Sequence, residues 1–236
     1  MRFIFLILIA VCCMPAGLYA QTEISPGEYI TEHGWGNLEI KKDKKGNLSF
    51  EIGVVGENYH TCDLSGIIRD GQSVLEGEED TPCIVSFSPT GNGINVTGNN
   101  SACRGYCGAR ASFIGLYLIP QKGCDTASIE KARNAFKRLY DKKSFSRARA
   151  KLEPVLNNCS GILHWSELGR VRNDLAITLY KLGDYDGCRN ILKPLEADAK
   201  KTDEGLRESY LPVDAETAIP IARATRTNLT LCTPEQ

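Results

Sequence analysis

The chain has 236 residues, 28 Lys and Arg against 29 Asp and Glu, and 42% hydrophobic residues. That balance excludes a disordered chain and a strongly basic nucleic-acid binder. It leaves enough apolar material for two small cores.

In chain order, residues 1–20 read as an export signal. Arg2 supplies a positive start and Phe3 to Met14 is almost purely apolar, too short to span a bilayer. Ala20 before Gln21 is the expected cleavage edge. Cys12 follows Val11 and Cys13 follows Cys12, so neither has the small preceding residue that a lipid anchor needs. No other stretch is long and apolar enough for a transmembrane segment. The mature chain is expected to be periplasmic or secreted.

Residues 21–122 read as an antiparallel β-domain, a barrel or a sandwich. Apolar and polar residues alternate in eight short runs, near Tyr29–Ile30, Leu38–Lys41, Leu48–Val55, His60–Ile68, Ser73–Leu75, Ile84–Phe87, Ile94–Val96 and Ser112–Ile119. The breaks carry residues that tolerate positive φ: Lys45-Gly46-Asn47, Asp70-Gly71, Gly91-Asn92-Gly93 and Gly98-Asn99-Asn100. All four are expected to be hairpin turns. Pro120-Gln121-Lys122-Gly123 suits a domain boundary.

Residues 123–236 read as helical and repetitive. Leu139-Tyr140, Phe145, Ala148, Arg149, Leu152 and Pro154 recur as Leu179-Tyr180, Tyr185, Cys188, Arg189, Leu192 and Pro194, always 40 residues later. A fixed offset of this size indicates stacked helical pairs. Their turns are expected at Asp141-Lys142-Lys143-Ser144 and Leu182-Gly183-Asp184. A last helix is expected from Asp214 to Leu229, kinked at Pro220. Tyr180-Lys181-Leu182-Gly183-Asp184-Tyr185-Asp186 resembles the turn of a tetratricopeptide repeat. That family places small residues twelve apart where paired helices touch; Ala176 and Cys188 occupy those positions, and Phe136 and Ala148 the matching ones in the earlier unit. The resemblance implies a helical-repeat fold.

Eight cysteines lie beyond the signal, and an even number in an exported chain points to four disulfides rather than zinc. Consecutive helices with short loops run antiparallel, so Cys124 meets Cys159 and Cys188 meets Cys232. Cys62–Cys83 and Cys103–Cys107 then remain for the β-domain, with Cys62–Cys103 and Cys83–Cys107 as the alternative. No metal site and no cofactor are expected.

Candidate chemistry is sparse. Gly91-Asn92-Gly93 has strands on both sides, so it is a turn and not a phosphate loop. His60 and Cys62 share a strand face, but a bridged Cys62 is no nucleophile, and no enzyme activity is expected. Arg172-Asn173-Asp174 is open to two roles, a polar contact in a ligand groove or a buried network fixing helix packing, the second preferred. From Lys131 to Lys151 nine Lys and Arg face one Asp, a solvated helix face or a site for an anionic partner.

Residues 21–123 carry 8 Lys and Arg against 13 Asp and Glu, a net of −5, while residues 124–236 carry 19 against 16, a net of +3. Nucleic acid is therefore not an expected partner. Glu76, Glu78 and Glu79 form an acidic loop suited to a cationic partner. An exported, acidic, cysteine-paired β-domain resembles the periplasmic lysozyme inhibitors. Some of those carry a Ser-Gly-x-x-Tyr motif; here Ser65-Gly66-Ile67-Ile68 is followed by Arg69. Cys103-Arg104-Gly105-Tyr106-Cys107-Gly108 leading to Phe113, Gly115 and Tyr117 also resembles uncharacterised secreted bacterial proteins. The resemblance implies a protein partner, with Ser65, Gly66, Arg69, Glu76, Glu78 and Glu79 as contact residues, and inhibition of, or immunity to, a cell-wall hydrolase. The alternative is a periplasmic scaffold whose helical repeats bind a partner.

Overall fold

The computed structural model describes residues 23–77, 80–99 and 101–233. The expected signal, residues 1–20, and Glu78 and Glu79 lie outside the described residues. Eight antiparallel strands come first: β1 (Gly27–Thr31), β2 (Gly36–Lys42), β3 (Leu48–Val55), β4 (Thr61–Ile68), β5 (Gln72–Leu75), β6 (Cys83–Pro89), β7 (Gly93–Gly98) and β8 (Gly115–Leu118). Seven α-helices follow: α1 (Thr126–Asp141), α2 (Phe145–Cys159), α3 (Trp165–Lys181), α4 (Tyr185–Leu192), α5 (Glu196–Ala199), α6 (Asp203–Ser209) and α7 (Pro212–Leu231).

Strand order is β4-β3-β2-β1-β8-β7-β6-β5, two meanders joined where β1 pairs with β8. The period-two pattern sends Leu38, Ile40, Phe50, Ile52, Val54, Leu64, Val85, Phe87, Ile94 and Val96 inward. Registers such as Leu38 opposite Ile52 and Ile52 opposite Leu64 stack these residues in layers. β3 and β6 stand far apart in the ladder, yet the Phe50 and Phe87 rings are 4.8 Å apart. The sheet therefore curls into a nearly closed barrel. Its ends β4 and β5 meet at a two-residue turn, Asp70 (φ 50°) and Gly71 (φ 77°), where Arg69 and Gln72 exchange backbone hydrogen bonds.

Two β expectations need correction. Gly98-Asn99 opens no hairpin, Asn100 lying outside the described residues: Gly98 ends β7, and the chain crosses one end of the barrel through a short 3-10 turn, Arg104–Tyr106. Asn99 anchors this crossing, accepting from Ile84 N at 2.7 Å and donating to Pro82 O at 2.8 Å. The β disulfides are Cys62–Cys107 and Cys83–Cys103, neither Cys62–Cys83 with Cys103–Cys107 nor the alternative. β4 and β6 both begin at the crossed end with β5 between them, so Cys62 and Cys83 are kept apart. The 3-10 turn presents Cys103 to β6 and Cys107 to β4, where Gly108 N also donates to Thr61 O at 2.8 Å.

In the helical part, Cys124–Cys159 and Cys188–Cys232 are as antiparallel packing requires. α1–α2 and α3–α4 are hairpins with matching ends. After α1, Lys143 N and Ser144 N donate to Tyr140 O (2.8 Å) and Leu139 O (2.9 Å); after α3, Gly183 N and Asp184 N donate to Tyr180 O and Leu179 O, both at 3.0 Å. Each turn needs one left-handed residue, Lys143 (φ 56°) or Gly183 (φ 78°). Cys188 Sγ lies 3.0 Å from Ala176 O, a closeness that only small residues permit. The final helix is longer than expected, Pro212–Leu231, and continues through Pro220. Its first turn is capped by the barrel: Val213 N donates to Asn58 Oδ1 (2.9 Å), and Asn58 N donates to Asp214 Oδ2 (2.8 Å). Leu211 at the cap position has no side-chain acceptor to do this. Among the described residues no helix is long and apolar enough to cross a membrane.

Candidate functional site

Barrel and helices meet where Gly34 (φ +63°) presses against residues 162–164. A Cβ there would lie 2.3 Å from Ile162 O and 2.5 Å from His164 N. On either side of this contact the two parts diverge into clefts. The larger measures about 820 Å³ and the smaller about 590 Å³. Trp35, Val55, Leu163 and His164 line both.

The barrel wall of the larger cleft is apolar and amide-bearing: Ile30, Trp35, Asn37, Gly53 and Val55. The opposite wall is one face of α1, where helical periodicity aligns Glu130, Arg133, Asn134, Lys137, Tyr140 and Asp141. α3 contributes Glu167 and Asp174, two turns apart, to its floor. The cations are already engaged: Arg133 pairs with Glu167, and Lys137 lies 3.3 Å from Asp141. Asp174 is partly buried, and among the described residues no hydrogen bond or salt bridge engages its carboxylate. Burial pushes its pKa above the ordinary carboxylate value; Arg133 opposes that shift and Glu167 adds to it. Burial, then the nearby Asp174 and Asp141 charges, raise the Tyr140 phenol. Burial lowers the pKa of His164, whose Nδ1 is 2.8 Å from Ser166 Oγ.

Arg172-Asn173-Asp174 thus divides between the helix-packing network and the cleft wall. Asn173 is buried and faces α7: its Nδ2 donates to Gly169 O and Thr225 Oγ1 (both 3.0 Å), and its Oδ1 accepts from Asn228 Nδ2 at 2.9 Å. Arg172 ties α3 to Ile191 O at 3.1 Å. Asp174 turns the other way, into the cleft.

The contact residues expected from the sequence do not assemble into one place. Ser65 points outward from β4 into a shallow depression of about 450 Å³ with Glu39, Glu51 and Asp63. Gly66 faces inward and has no room for a side chain, because a Cβ would sit 2.6 Å from Ser73 Oγ. Arg69 is exposed at the β4–β5 turn. Glu76 is exposed beyond the far end of β5, where its carbonyl accepts from Tyr106 OH at 2.9 Å. His60 packs on Gly108, and its neighbour Cys62 is bridged to Cys107. In the basic stretch, Arg133, Lys137 and Arg149 are ion-paired, while Lys131, Arg138, Lys142, Lys143, Arg147 and Lys151 are exposed. The residues missed from the sequence are Trp35 and the α1 face. The i, i+3, i+7 spacing of Glu130, Arg133 and Lys137 was the available signal, but only the docking of the barrel makes that face a cleft wall.

Among the described residues no cluster of His, Cys, Asp or Glu is placed to hold a metal ion. Comparison with protein-family models, with curated proteins and with solved structures gives no match for this chain.

Proposed function

We propose that this chain is an exported binding protein that holds an extended segment of a partner protein in the cleft between its barrel and its first helices. The observation that carries this reading is the larger cleft itself. Its volume of about 820 Å³ lies within the range of small-ligand sites, and an apolar barrel wall faces a polar helix wall across it. Four disulfides hold both walls rigid, which lowers the ordering cost of binding. They also fit an oxidising compartment, in keeping with the export signal expected at residues 1–20. Helical hairpins at a 40-residue offset are in keeping with a tetratricopeptide-like array that grips a partner.

The test is selection. Random heptapeptides on phage are panned against the oxidised protein and against Asn134→Trp, which fills the cleft from the exposed side of α1. Peptides retained by the parent and lost by the variant are the expected result. Equal retention by both proteins overturns the cleft as the binding site.

Inhibition of a cationic cell-wall hydrolase is a second reading, favoured by the net acidic barrel face around Ser65, where Glu39, Glu51 and Asp63 share one depression with Lys41 bridging the two glutamates. Opposite charge would steer such an enzyme onto the barrel. A lysozyme turnover assay with and without the protein decides it. If inhibition exists, changing Glu76, Glu78 and Glu79 to Ala together should slow association and flatten its salt dependence. Unaltered association rates exclude steering by that loop.

A further inference from the structure

The larger cleft has an electrostatic asymmetry that the binding reading alone does not explain. Four carboxylates line it, Glu130, Asp141, Glu167 and Asp174, against two cations, Arg133 and Lys137. Both cations are paired, Arg133 with a Glu167 that Arg170 shares and Lys137 with Asp141. Glu130 and Asp174 are left with no cation in salt-bridge range among the described residues. Glu130 is exposed on α1 at the cleft surface; Asp174 sits at its floor on α3. A half-buried carboxylate without a hydrogen-bond donor costs folding free energy. Tertiary packing does not account for it, since the neighbouring Asn173 alone carries the polar contacts of α3 to α7. The site also has aromatic walls, Trp35 from the barrel and Phe136 and Tyr140 from α1. Ring faces beside an unpaired carboxylate form the arrangement that receives an ammonium or guanidinium group. An anionic ligand would meet the two free carboxylates.

Resting on the cleft as the binding site, we infer that it recognises a lysine- or arginine-bearing extended segment, whose cationic side chain enters between the aromatic walls to pair with Asp174 while Glu130 attracts it at the surface. The occupant is a peptide segment rather than a free amine, because the cleft has room for several residues and Asn134, with Asn37 Oδ1 (its Nδ2 donates to Glu28 at 2.7 Å), lines it with amide groups suited to a backbone.

The full oxidised chain is titrated at low ionic strength with capped tetralysine, capped tetraglutamate and n-butylammonium, followed by calorimetry and, in a Trp165→Phe background, by the fluorescence of Trp35. Tetralysine should bind and tetraglutamate should not. Asp174→Asn should weaken tetralysine binding by about tenfold or more, as expected for a desolvated charge pair. Glu130→Gln, at an exposed site, should weaken it by about threefold and reduce the salt dependence. Tetralysine binding that is unchanged in Asp174→Asn, with both proteins equally folded by circular dichroism, overturns the inference. So does n-butylammonium binding as tightly as tetralysine, which would assign the site to a free amine. Panning separates this inference from the reading beneath it. Cleft-dependent peptides lacking Lys and Arg overturn the cation assignment and leave the cleft standing, whereas peptides that ignore Asn134→Trp overturn both.

Discussion

Gly34→Ala tests whether the closeness of barrel and helices is what builds the site. Gly34 has φ +63°, and an added Cβ would meet Ile162 O at 2.3 Å, His164 N at 2.5 Å and Leu163 C at 2.8 Å. Those atoms are backbone and cannot swing aside as a side chain would. Relief requires the two parts to separate by roughly 1 Å, since carbon and oxygen do not approach within about 3 Å without strain. The left-handed backbone costs about 1–2 kcal/mol for a residue with a Cβ, and overpacking at a rigid contact about 1–3 kcal/mol more. Against this stand few polar ties: Thr126 to Glu28, the reciprocal pair of Asn58 with Val213 and Asp214, and Tyr59 OH with Thr217 Oγ1 at 3.0 Å. At about 0.5–1.5 kcal/mol each, their sum is of the same order as the penalty. The substitution should therefore loosen the docking while sparing both cores. Calorimetry should show a broader or more widely split unfolding profile than the parent's, and proteolysis near residues 120–123 should accelerate. Gly183→Ala is the control, because Gly183 is also left-handed (φ +78°) but a Cβ there would meet nothing within 4 Å. It should carry the backbone cost alone, without loosening the docking. If Gly34→Ala matches Gly183→Ala in melting profile and protease resistance, the close approach is not what holds the parts together.

Three further outcomes follow from particular contacts. Lys143→Gly should stabilise the first hairpin by about 0.5–1 kcal/mol, because Lys143 is held at φ 56° in the position that Gly183 fills 40 residues later; chemical denaturation measures it, and any loss of stability refutes it. Asn173→Ala should destabilise the α3–α7 packing by about 1–2 kcal/mol, because Thr225 and Asn228 each lose the Asn173 side chain and keep only Ile221 O and the Asn173 backbone O; urea midpoints measure this. Asp174→Asn should do the opposite, raising stability at pH 7 by about 1 kcal/mol. The Asp174 pKa is raised on folding, so its penalty is absent below the ordinary carboxylate pKa and grows as pH rises through the raised value. The gain from Asp174→Asn should accordingly vanish in acid, and tetralysine binding to the parent should weaken as pH falls through the same range. Of the charged and titratable groups on that cleft wall, Glu130, Arg133, Lys137, Tyr140 and Asp141 on α1 with Glu167 and His164 at the start of α3, Arg133 opposes the upward shift and Glu167 adds to it, and burial keeps its sign.

The sequence by itself determined the local order of this protein. Alternation of period two located the eight strands, because a half-buried strand must send every second residue inward. The 40-residue recurrence located the helical pairs, because identical hairpins need identical caps and contact residues. Cys124–Cys159 and Cys188–Cys232 were legible for the same reason, since short loops between helices leave one antiparallel arrangement. The β disulfides were not. Their pairing depends on how the sheet curls and on a crossing that joins no neighbouring strands, and neither leaves a periodic trace. Ser65, Gly66, Arg69 and Glu76, adjacent in the chain, are spread along β4 and β5 by the same curling. The cleft was decided by tertiary structure alone, because its walls come from segments some 100 residues apart and exist as a site only once Gly34 lets the barrel close on residues 162–164. Asp174 was visible as a polar residue on a helix. That it faces the cleft while Asn173 faces α7 follows from the position of α7 and the barrel on opposite sides of α3, which only the folded chain supplies.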